Sequence, residues 1–312
     1  MINKFSVYLN VSVNMSNPNG DPDAEGGPRV TTDGYGLISN GSIKSKIRSI
    51  LSQKDNILWD KLKTQFNLTS QDINNCYNIW ESSNKGYDGV KNTREAANKF
   101  KEEFKDNLEE AISNRYYDVR LFGTTALEQK AKDSICITKT GPVVVSPLFT
   151  SLPVLVTEQT ITKSFPMRDN KKEGSGDGDQ GDLCPGAFKA VNFGLYEGRI
   201  LFNPFYEKDS KITQQDINIF KKVLPYIFAA TMSNCRPDVN FRQILWAEHD
   251  SPLGSFSERD FFDACSPEIL DKNKIKDRIS ATSINDFRFK TVDEIKNSVK
   301  NLTKLVDLLE EN

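Results

Sequence analysis

The sequence predicts an α+β fold, and three observations lead to this class. Residues 5–14 alternate between apolar and polar side chains, which is the period of a strand with one buried face. After a loop rich in glycine, proline and aspartate, apolar residues recur at helical spacing at Ile43, Ile47, Ile50 and Leu51. Strands, a second helix and a late strand follow, so the order of elements is compatible with a ferredoxin-like βαββαβ core.

The region from residue 59 to residue 115 is rich in Glu and Lys and is predicted to be helical. Helices are expected over 59–66, 72–80 and 95–112, and the sequence SSNKG at 82–86 interrupts them. Strand-like segments return after this region. They lie at 118–122, 134–138, 143–145, 154–162, 198–202 and 241–246.

The composition most typical of a loop lies at 168–182, where the sequence reads RDNKKEGSGDGDQGD. Strand-like flanks at 159–165 and 188–193 make this segment a predicted long hairpin with a disordered tip. Its carboxylates do not fit an EF-hand calcium loop that starts at Asp177. Gly181 and Asp182 fall where that loop requires a ligand and a glycine.

Two helices are predicted in the last third of the chain. One covers 213–232, with Thr213 or Ser210 as its cap and Pro225 as a site for a kink. The other is an amphipathic C-terminal helix. Its apolar positions are Ile295, Val299, Leu302, Val306 and Leu309.

The composition indicates a cytoplasmic protein that can bury a core. Hydrophobic residues make up 37% of the 312 positions, and no run of about 18 apolar residues is present, so no membrane-spanning helix is expected. The first ten residues are typical of a strand rather than a signal peptide. The five cysteines are scattered without a CxxC pair, which fits a reducing compartment without a zinc ribbon or a disulfide framework.

The first predicted helix carries three cations, Lys44, Lys46 and Arg48, close to its N-terminus. Free N–H groups and the helix dipole attract phosphate at this end of a helix, so the three cations suggest a seat for a nucleic-acid backbone. Lys44 and Arg48 share one side and could contact successive phosphates, whereas Lys46 points to the other flank. The alternative is an ordinary solvated helix face. The net charge of −2 requires basic and acidic residues to be segregated on the surface.

Short motifs occur in a fixed order along most of the chain. The first three read NPNGDPD at 17–23, GGPR at 26–29 and GLISNGSIKSKIR at 36–48. The later ones are DVRLFG at 118–123, TGPV at 140–143, TITK at 160–163, GLY at 194–196, CRP at 235–237 and EHDSPLG at 248–254.

This ordered set resembles the backbone subunit of type I CRISPR surveillance complexes (Cascade), close to the I-B and I-C members. Two departures stand out. Phe149-Thr150-Ser151 occupies the place where the family usually has an Arg-Ser pair, and Lys163 stands where arginine is frequent. Lysine does not replace arginine in a bidentate contact.

The resemblance implies an RRM-like palm that carries a helical fingers insertion and a long β-hairpin thumb. The palm would comprise 1–58, 116–165 and 188–312, and the fingers 59–115. The thumb hairpin would cover 160–194, with its flexible tip at 168–186.

The resemblance also implies a function. The chain would be a non-catalytic CRISPR RNA-binding subunit that polymerises along the guide RNA and presents it for pairing with target DNA in antiviral defence. Its partners would be the guide, the target DNA, further copies of itself, and the guide-end and large subunits, with no cofactor. The residues expected to contact RNA are Arg29, Ser42, Lys44, Lys46, Arg48, Lys163, Arg168, Lys189 and Arg236.

Two other functions remain open from the sequence. Asp21, Asp23 and Asp33 could bind a divalent metal, as in a metal-dependent endoribonuclease of related fold similar to the type III backbone subunits. The third possibility is an RRM-like RNA-binding protein outside defence. His249, the one histidine, is expected to be structural. The aromatic octapeptide of ordinary RRM domains is absent, so loops, the first helix and the hairpin are the better RNA-binding candidates.

Overall fold

The structure, a computed structural model, describes residues 1–105, 107–127, 136–161 and 186–310. Within these ranges, no helix is both long enough and apolar enough to cross a membrane. The strands are β1 (Phe5–Ser16), β2 (Tyr35–Ile38), β3 (Gly123–Leu127), β4 (Cys136–Thr140), β5 (Val143–Val145), β6 (Leu148–Pro153), β7 (Val156–Ile161), β8 (Gly186–Phe202), β9 (Val239–Glu248), β10 (Glu268–Ile269), β11 (Phe287–Arg288) and β12 (Lys304–Asp307).

Helices are concentrated between the second and third strands and again in the last third of the chain. They are α1 (Asn40–Ser52), α2 (Ile57–Phe66), α3 (Ser70–Cys76), α4 (Thr93–Phe104), α5 (Leu108–Arg115), α6 (Tyr117–Phe122), α7 (Glu207–Ser210), α8 (Gln214–Val223), α9 (Glu258–Cys265), α10 (Lys272–Lys276) and α11 (Val292–Ser298). The mixed α and β content agrees with the predicted class.

A large antiparallel sheet organises the molecule around β1. Its path of neighbouring strands is β12-β9-β1-β8-β6-β2, and β5 and β7 also pair with β8. β1 therefore lies in the middle, with Ser6 opposite Leu201 of β8 and Val7 opposite Trp246 of β9. Because both neighbours of β1 come late in the chain, the first strand holds the C-terminal half together.

Both faces of β1 are buried, so the prediction of a single buried face is wrong. Val7 and Leu9 pack into the main core with α1 and α8. On the other face, Tyr8 packs against Phe261 and Phe262 of α9. The polar residues of this strand mimic a solvated face in the sequence, but Ser6 is fully buried and donates a hydrogen bond to Glu258.

The first predicted helix is confirmed as α1. Its N-cap is Ser39, whose hydroxyl accepts the N–H of Ser42. The apolar residues at helical spacing, Ile43, Ile47 and Ile50, are buried against the sheet. The basic residues between them are thereby directed to the two flanks of the helix.

The predicted helix over 213–232 begins correctly but ends early. Thr213 caps α8 in a reciprocal capping box with Asp216, and the helix ends at Val223. Pro225 lies in a 3-10 turn, Leu224–Tyr226, because proline cannot donate the next helical hydrogen bond.

The helical region has its own core, in which Trp80, Phe100, Ile112 and Tyr116 pack together. The helix predicted over 59–66 is confirmed as α2. The segment predicted as one helix over 95–112 is divided into α4 and α5, and α3 ends at Cys76 rather than at residue 80.

The strand predicted at 118–122 is wrong, since these residues form α6. Their alternation of polar and apolar side chains suggests one exposed face, but Asp118 and Arg120 are both buried and ion-paired. All-round burial leaves no periodicity from which a helix and a strand can be distinguished. Gly123, with φ of 73°, ends the helix and starts β3.

The predicted C-terminal helix is also partly wrong. α11 ends at Ser298, and the chain then forms β12, which pairs with β9 with Val306 opposite Trp246. Asn301, with φ of 65°, breaks the helical path. Of the predicted apolar positions, Ile295, Val299 and Leu302 are buried in the cluster with α9. Val306 and Leu309 are only partly buried, against the main core, so the prediction identified three of the five core positions but not the conformation of the segment.

The arms of the predicted hairpin are confirmed. β7 pairs with β8 from Val156 opposite Val191 to Ile161 opposite Gly186. The two strands expected near 188–193 and 198–202 are one continuous strand, β8. The expected tip, together with Lys163 and Arg168, lies outside the described residues.

Candidate functional site

The cations of α1 lie on two different sides of the helix. Lys44 and Arg48 both lie over the ring of Phe122, at 5.1 and 5.5 Å from its centroid. Lys46 lies on the opposite flank, with its ammonium 5.9 Å from the ring centroid of Phe228. This agrees with the helical geometry expected from the sequence.

On the first side, Arg48 is already neutralised. Its Nε lies 3.0 Å from a carboxylate oxygen of Asp118, whose side chain is 1% exposed. Asp118 also accepts the N–H groups of Trp80, at 2.7 Å, and Glu81, at 3.1 Å. Burial raises the pKa of Asp118, and the positive charge of Arg48 opposes that shift. Arg48 thus joins α1 to α6 and to the helical region.

On the second side, Lys46 is close to another cation. Its side chain is 6% exposed, and its ammonium lies 3.5 Å from the hydroxyl of Ser42. Burial, and to a smaller extent the positive charge of Arg236, lower the pKa of Lys46 to about 8. In the part of the chain that the structure describes, neither Lys46 nor Arg236 forms an ion pair with a carboxylate. We call Ser42, Lys46 and Arg236 the Lys46–Arg236 site.

The N-terminus of α1 adds a dipole to this site but few free donors. The N–H of Ser42 is bonded to the hydroxyl of Ser39, and the N–H of Gly41 is bonded to the side chain of Asn40. The macrodipole still favours negative charge at this end. An anion would therefore be held mainly by the side chains of Lys46 and Arg236, with the hydroxyl of Ser42 as a further donor.

Residues 17–29, which we call the entry loop, lie beside the site. Arg29 forms an ion pair with Asp21 at 3.6 Å. Asp21 also accepts the N–H of Asp23 and thereby caps a 3-10 turn, Pro22–Ala24. Asp23 and Asp33 are exposed. Over the described ranges, no group of three or more His, Cys, Asp or Glu residues is arranged to hold a metal ion.

The base of the hairpin touches the entry loop. Lys189 of β8 forms an ion pair with Glu25 at 3.0 Å, and this contact raises the pKa of Lys189. Of the cations predicted on the hairpin, Lys189 is thus placed, whereas Lys163 and Arg168 lie in the undescribed segment.

One face of the sheet is covered by other elements at Tyr8, Phe193 and Leu195, so bases cannot stack there. Phe193 and Leu195 of β8 pack with Phe287 and Ala281, and Tyr8 packs with α9. The rings of Tyr8, Phe193 and Phe287 are therefore used for packing. The first helix and the loops remain the accessible candidates.

His249 is held in a structural network. Its Nδ1 accepts the N–H of Ser255 at 2.9 Å, Nε2 lies 3.3 Å from the hydroxyl of Ser6, and the ring stacks on Phe256. Burial, together with the positive charge of Lys4, lowers its pKa to about 4. A neutral, enclosed imidazole fixes the loop after β9.

Sequence reasoning missed two residues of the site. Phe228, which flanks Lys46, was placed inside a long predicted helix without a role. Asn19, which belongs to the NPNGDPD motif, resembles an ordinary turn residue, yet it accepts the N–H of Ser39 at 2.8 Å. The motif draws attention to Asn19, but it does not show that the hydrogen-bond partner of this residue is Ser39, which lies 20 residues further along the chain.

Comparisons with known proteins point to one family. The family model described as CRISPR-associated protein Cas7 matches residues 3–292. This match covers nearly the whole chain and confirms the family resemblance drawn from the motifs. No curated protein sequence matches the chain.

Similar solved structures include the following three. A chain of a "CRISPR RNA-guided surveillance complex, pre-nicking" is 13% identical, with a TM-score of 0.48, and the match covers 95% of this chain and 87% of that chain. A chain of a "CRISPR RNA-guided surveillance complex" is 13% identical, with a TM-score of 0.42 and coverage of 88% and 80%. A chain of a type III-B Cmr-beta complex bound to cognate target RNA is 11% identical, with a TM-score of 0.39 and coverage of 78% and 60%.

Proposed function

Because the chain belongs to the Cas7 family of CRISPR-associated proteins, we propose that it is a non-catalytic backbone subunit that binds CRISPR RNA in a type I surveillance complex. Copies of the chain polymerise along the guide, and each copy holds the RNA backbone while the bases stay available for pairing with target DNA. The protein then reads shape and charge, and base pairing reads sequence.

The observation that carries this proposal is the Lys46–Arg236 site. Arg236 lies close enough to Lys46 for its positive charge to lower the pKa of the lysine, and neither cation has a carboxylate partner among the described residues. A phosphate between them would replace this repulsion by two charge-assisted hydrogen bonds. Such a contact positions the backbone and is independent of sequence, as a guide-binding subunit requires.

The domain organisation proposed for this function follows the strand order. The six elements of a βαββαβ palm are, in order, β1, α1, the β5–β7 segment counted as one, β8, α8 and β9. In the sheet, β1 lies between β8 and β9. The region 59–115, whose core contains Trp80 and Phe100, is the fingers insertion. β7 and β8 are the arms of the thumb.

The nuclease alternative has less support. Asp21 is engaged with Arg29 and with the N–H of Asp23, so its carboxylate is used within the loop. Asp23 and Asp33 are exposed. A cutting site would need Asp21 to leave Arg29 and the three carboxylates to converge on a metal ion.

The first test is to co-express the chain with a CRISPR array and its presumed partner subunits, and to measure the mass and RNA content of the purified particle. A large particle with several copies of the chain and one RNA of discrete length is expected. A nucleic-acid-free monomer would contradict the backbone role. The same preparation, incubated with complementary RNA and Mg²⁺, is expected to leave it intact. Regular cuts that Asp21→Ala abolishes would establish the nuclease instead.

A further inference from the structure

We propose that Asn19 is a positioning residue for the Lys46–Arg236 site. Its side-chain oxygen bonds the start of α1, the helix that carries Lys46, to residues 16–19. The turn that carries Arg236 is bonded to the same residues. The inference rests on the proposed function, since it states how this chain sets the geometry of the phosphate contact.

The first half of the argument is the bond to α1. Asn19 Oδ1 accepts the N–H of Ser39 at 2.8 Å, and Ser39 is the N-cap residue of the helix. The hydroxyl of Ser39 in turn accepts the N–H of Ser42 at 3.2 Å, and Lys46 follows one helical turn later, at hydrogen-bonding distance from Ser42. The position of Asn19 is thereby transmitted to the first turn of α1.

The second half is the attachment of the other cation. The N–H of Asn17 donates to the carbonyl of Cys235 at 2.8 Å, and the N–H of Asp238 donates to the hydroxyl of Ser16 at 3.0 Å. These two bonds hold the chain on either side of Arg236, at Cys235 and at Asp238. Residues 16–19 therefore contact the supports of both cations, within one short stretch of chain.

The entry loop itself is closed, so Asn19 is a rigid support. The N–H of Arg29 donates to the carbonyl of Asn19 at 3.0 Å, and Gly20 and Pro28 form an isolated bridge. The side chain of Asn17 donates to the carbonyl of Gly26 at 2.7 Å across the loop. A loop held at these points keeps the spacing between Ser39 and the 233–236 turn fixed before any ligand binds, which lowers the cost of ordering the site.

The role differs from that of a ligand-contacting residue. Asn19 Oδ1 is occupied by the N–H of Ser39, and asparagine carries no charge. Its loss should act through the placement of Lys46 relative to Arg236. A misplaced cation loses its phosphate contact, and with it one counterion released on binding.

The experiment compares Asn19→Leu with Asn19→Ser, whose uncharged hydroxyl can still accept a hydrogen bond, and with Asn75→Leu on the exposed surface of α3. For each full-length variant, the affinity for a short oligoadenylate RNA is measured over a salt series, together with the thermal unfolding midpoint. Asn19→Leu is expected to weaken binding about tenfold. The slope of log K against log salt should become less steep by up to about 0.7, the value of one single-strand phosphate. Asn19→Ser should recover at least part of the slope, and Asn75→Leu should change neither quantity.

A second pair of variants removes the donor instead of the acceptor. Ser39 has a φ of −67°, which suits proline, and Ile38 before it lies in a strand. Ser39→Pro lacks both the hydroxyl cap and the N–H, whereas Ser39→Ala lacks only the cap. The proposal predicts that Ser39→Pro reproduces the whole loss of slope, whereas Ser39→Ala, which keeps the N–H bond to Asn19, loses only part of it. The test therefore holds even where Asn19→Leu does not fold.

The outcomes separate this inference from the proposed function. A wild-type chain that binds no RNA overturns the proposed function, and the positioning role falls with it. A wild type that binds RNA, with variants that lose thermal stability but keep affinity and slope, overturns the positioning role alone.

Discussion

Each side of α1 has two positive charges, Lys44 and Arg48 on the first and Lys46 with the nearby Arg236 on the second, but the two pairs differ in what surrounds them. Arg48 lies against the buried carboxylate of Asp118, with Lys44 beside it over Phe122. Lys46 faces Arg236 with no acidic partner in the described ranges. The first side is an internal joint between α1 and α6, and the second is an unsatisfied cationic pair.

The number of cations on a surface therefore does not by itself locate an anion site. What matters is whether the protein itself already supplies the counter-charge. A buried carboxylate satisfies Arg48 with better geometry than a mobile phosphate could offer, because it is held by two backbone N–H groups as well. Variants on each side of α1 test this explanation.

The largest effect is expected when both cations of the second side are removed. Each charge-assisted hydrogen bond contributes about 1.5–3 kcal/mol, so Lys46→Met with Arg236→Gln should weaken RNA binding by about 100-fold or more. The loss should be equal for RNAs of different sequence, because the contact is to the backbone. Filter binding with several unrelated oligonucleotides measures it.

A matched control removes two exposed cations elsewhere, with Lys61→Met and Arg259→Gln. Lys61 is exposed on α2, and the side chain of Arg259 is 90% exposed on α9. This pair should change affinity only slightly, through net charge. Equal losses in the two double variants would show that total charge, and not the Lys46–Arg236 site, determines binding.

The second prediction concerns stability on the first side. Arg48→Met leaves Asp118 buried without its counter-charge, which should lower the free energy of unfolding by about 3–5 kcal/mol. Since the pKa of Asp118 is already raised by burial, its protonation relieves part of this loss, and the variant should gain stability relative to wild type as the pH falls. Urea unfolding at several pH values measures the effect.

Adding Asp118→Asn to Arg48→Met should recover part of the stability, because a neutral amide costs less to bury. Lys44→Met, which removes only a partly exposed cation over Phe122, should cost about 1 kcal/mol or less. If Arg48→Met instead unfolded like wild type and abolished RNA binding, Arg48 would be a phosphate ligand and the contrast between the two sides would be wrong.

The smallest effect is a pH dependence of binding. With a pKa of about 8, Lys46 is mostly protonated at pH 7, and a bound phosphate raises that pKa. Binding therefore takes up a proton above pH 8, so affinity should stay nearly flat from pH 6.5 to about 7.5 and fall by less than about tenfold by pH 9. Oligoadenylate is a suitable probe, because adenine does not titrate in this range.

Lys46→Arg is the control for this dependence. Arginine remains protonated throughout, so the variant should bind RNA with an affinity that does not change between pH 7 and pH 9. A wild-type profile as flat as that of Lys46→Arg would mean that Lys46 does not face the bound phosphate.

The sequence predicted the strand and the helix that frame the site, because β1 and α1 have strong periods of two and 3.6 residues. It could not show which cations are neutralised. The partner of Arg48 is Asp118, 70 positions away, and sequence spacing carries no information about such a contact. The family motifs placed Lys46 and Arg236 among the candidates, but only the structure brings them together.

The wrong predictions for β1 and α6 have a common physical cause. Polar residues were assumed to face water, whereas Ser6, Asp118 and Arg120 are buried and satisfied by distant partners. In the C-terminal segment, apolar residues at helical spacing were equally suited to a short helix followed by an edge strand. There, pairing with β9 determines the conformation.

The central place of β1 has a consequence for the synthesis of the protein. Its partners in the sheet begin at Val191 and Val239, far behind it in the chain. At a translation rate of about 5–20 residues per second, the strand leaves the ribosome roughly 10 to 45 s before both neighbours exist. An unpaired apolar strand is a template for pairing with another nascent chain, which is a particular hazard when many copies are made from one message. The strand that organises the folded sheet is therefore synthesised first but fully paired only near the end, and the yield of soluble protein depends on how long it remains unpaired.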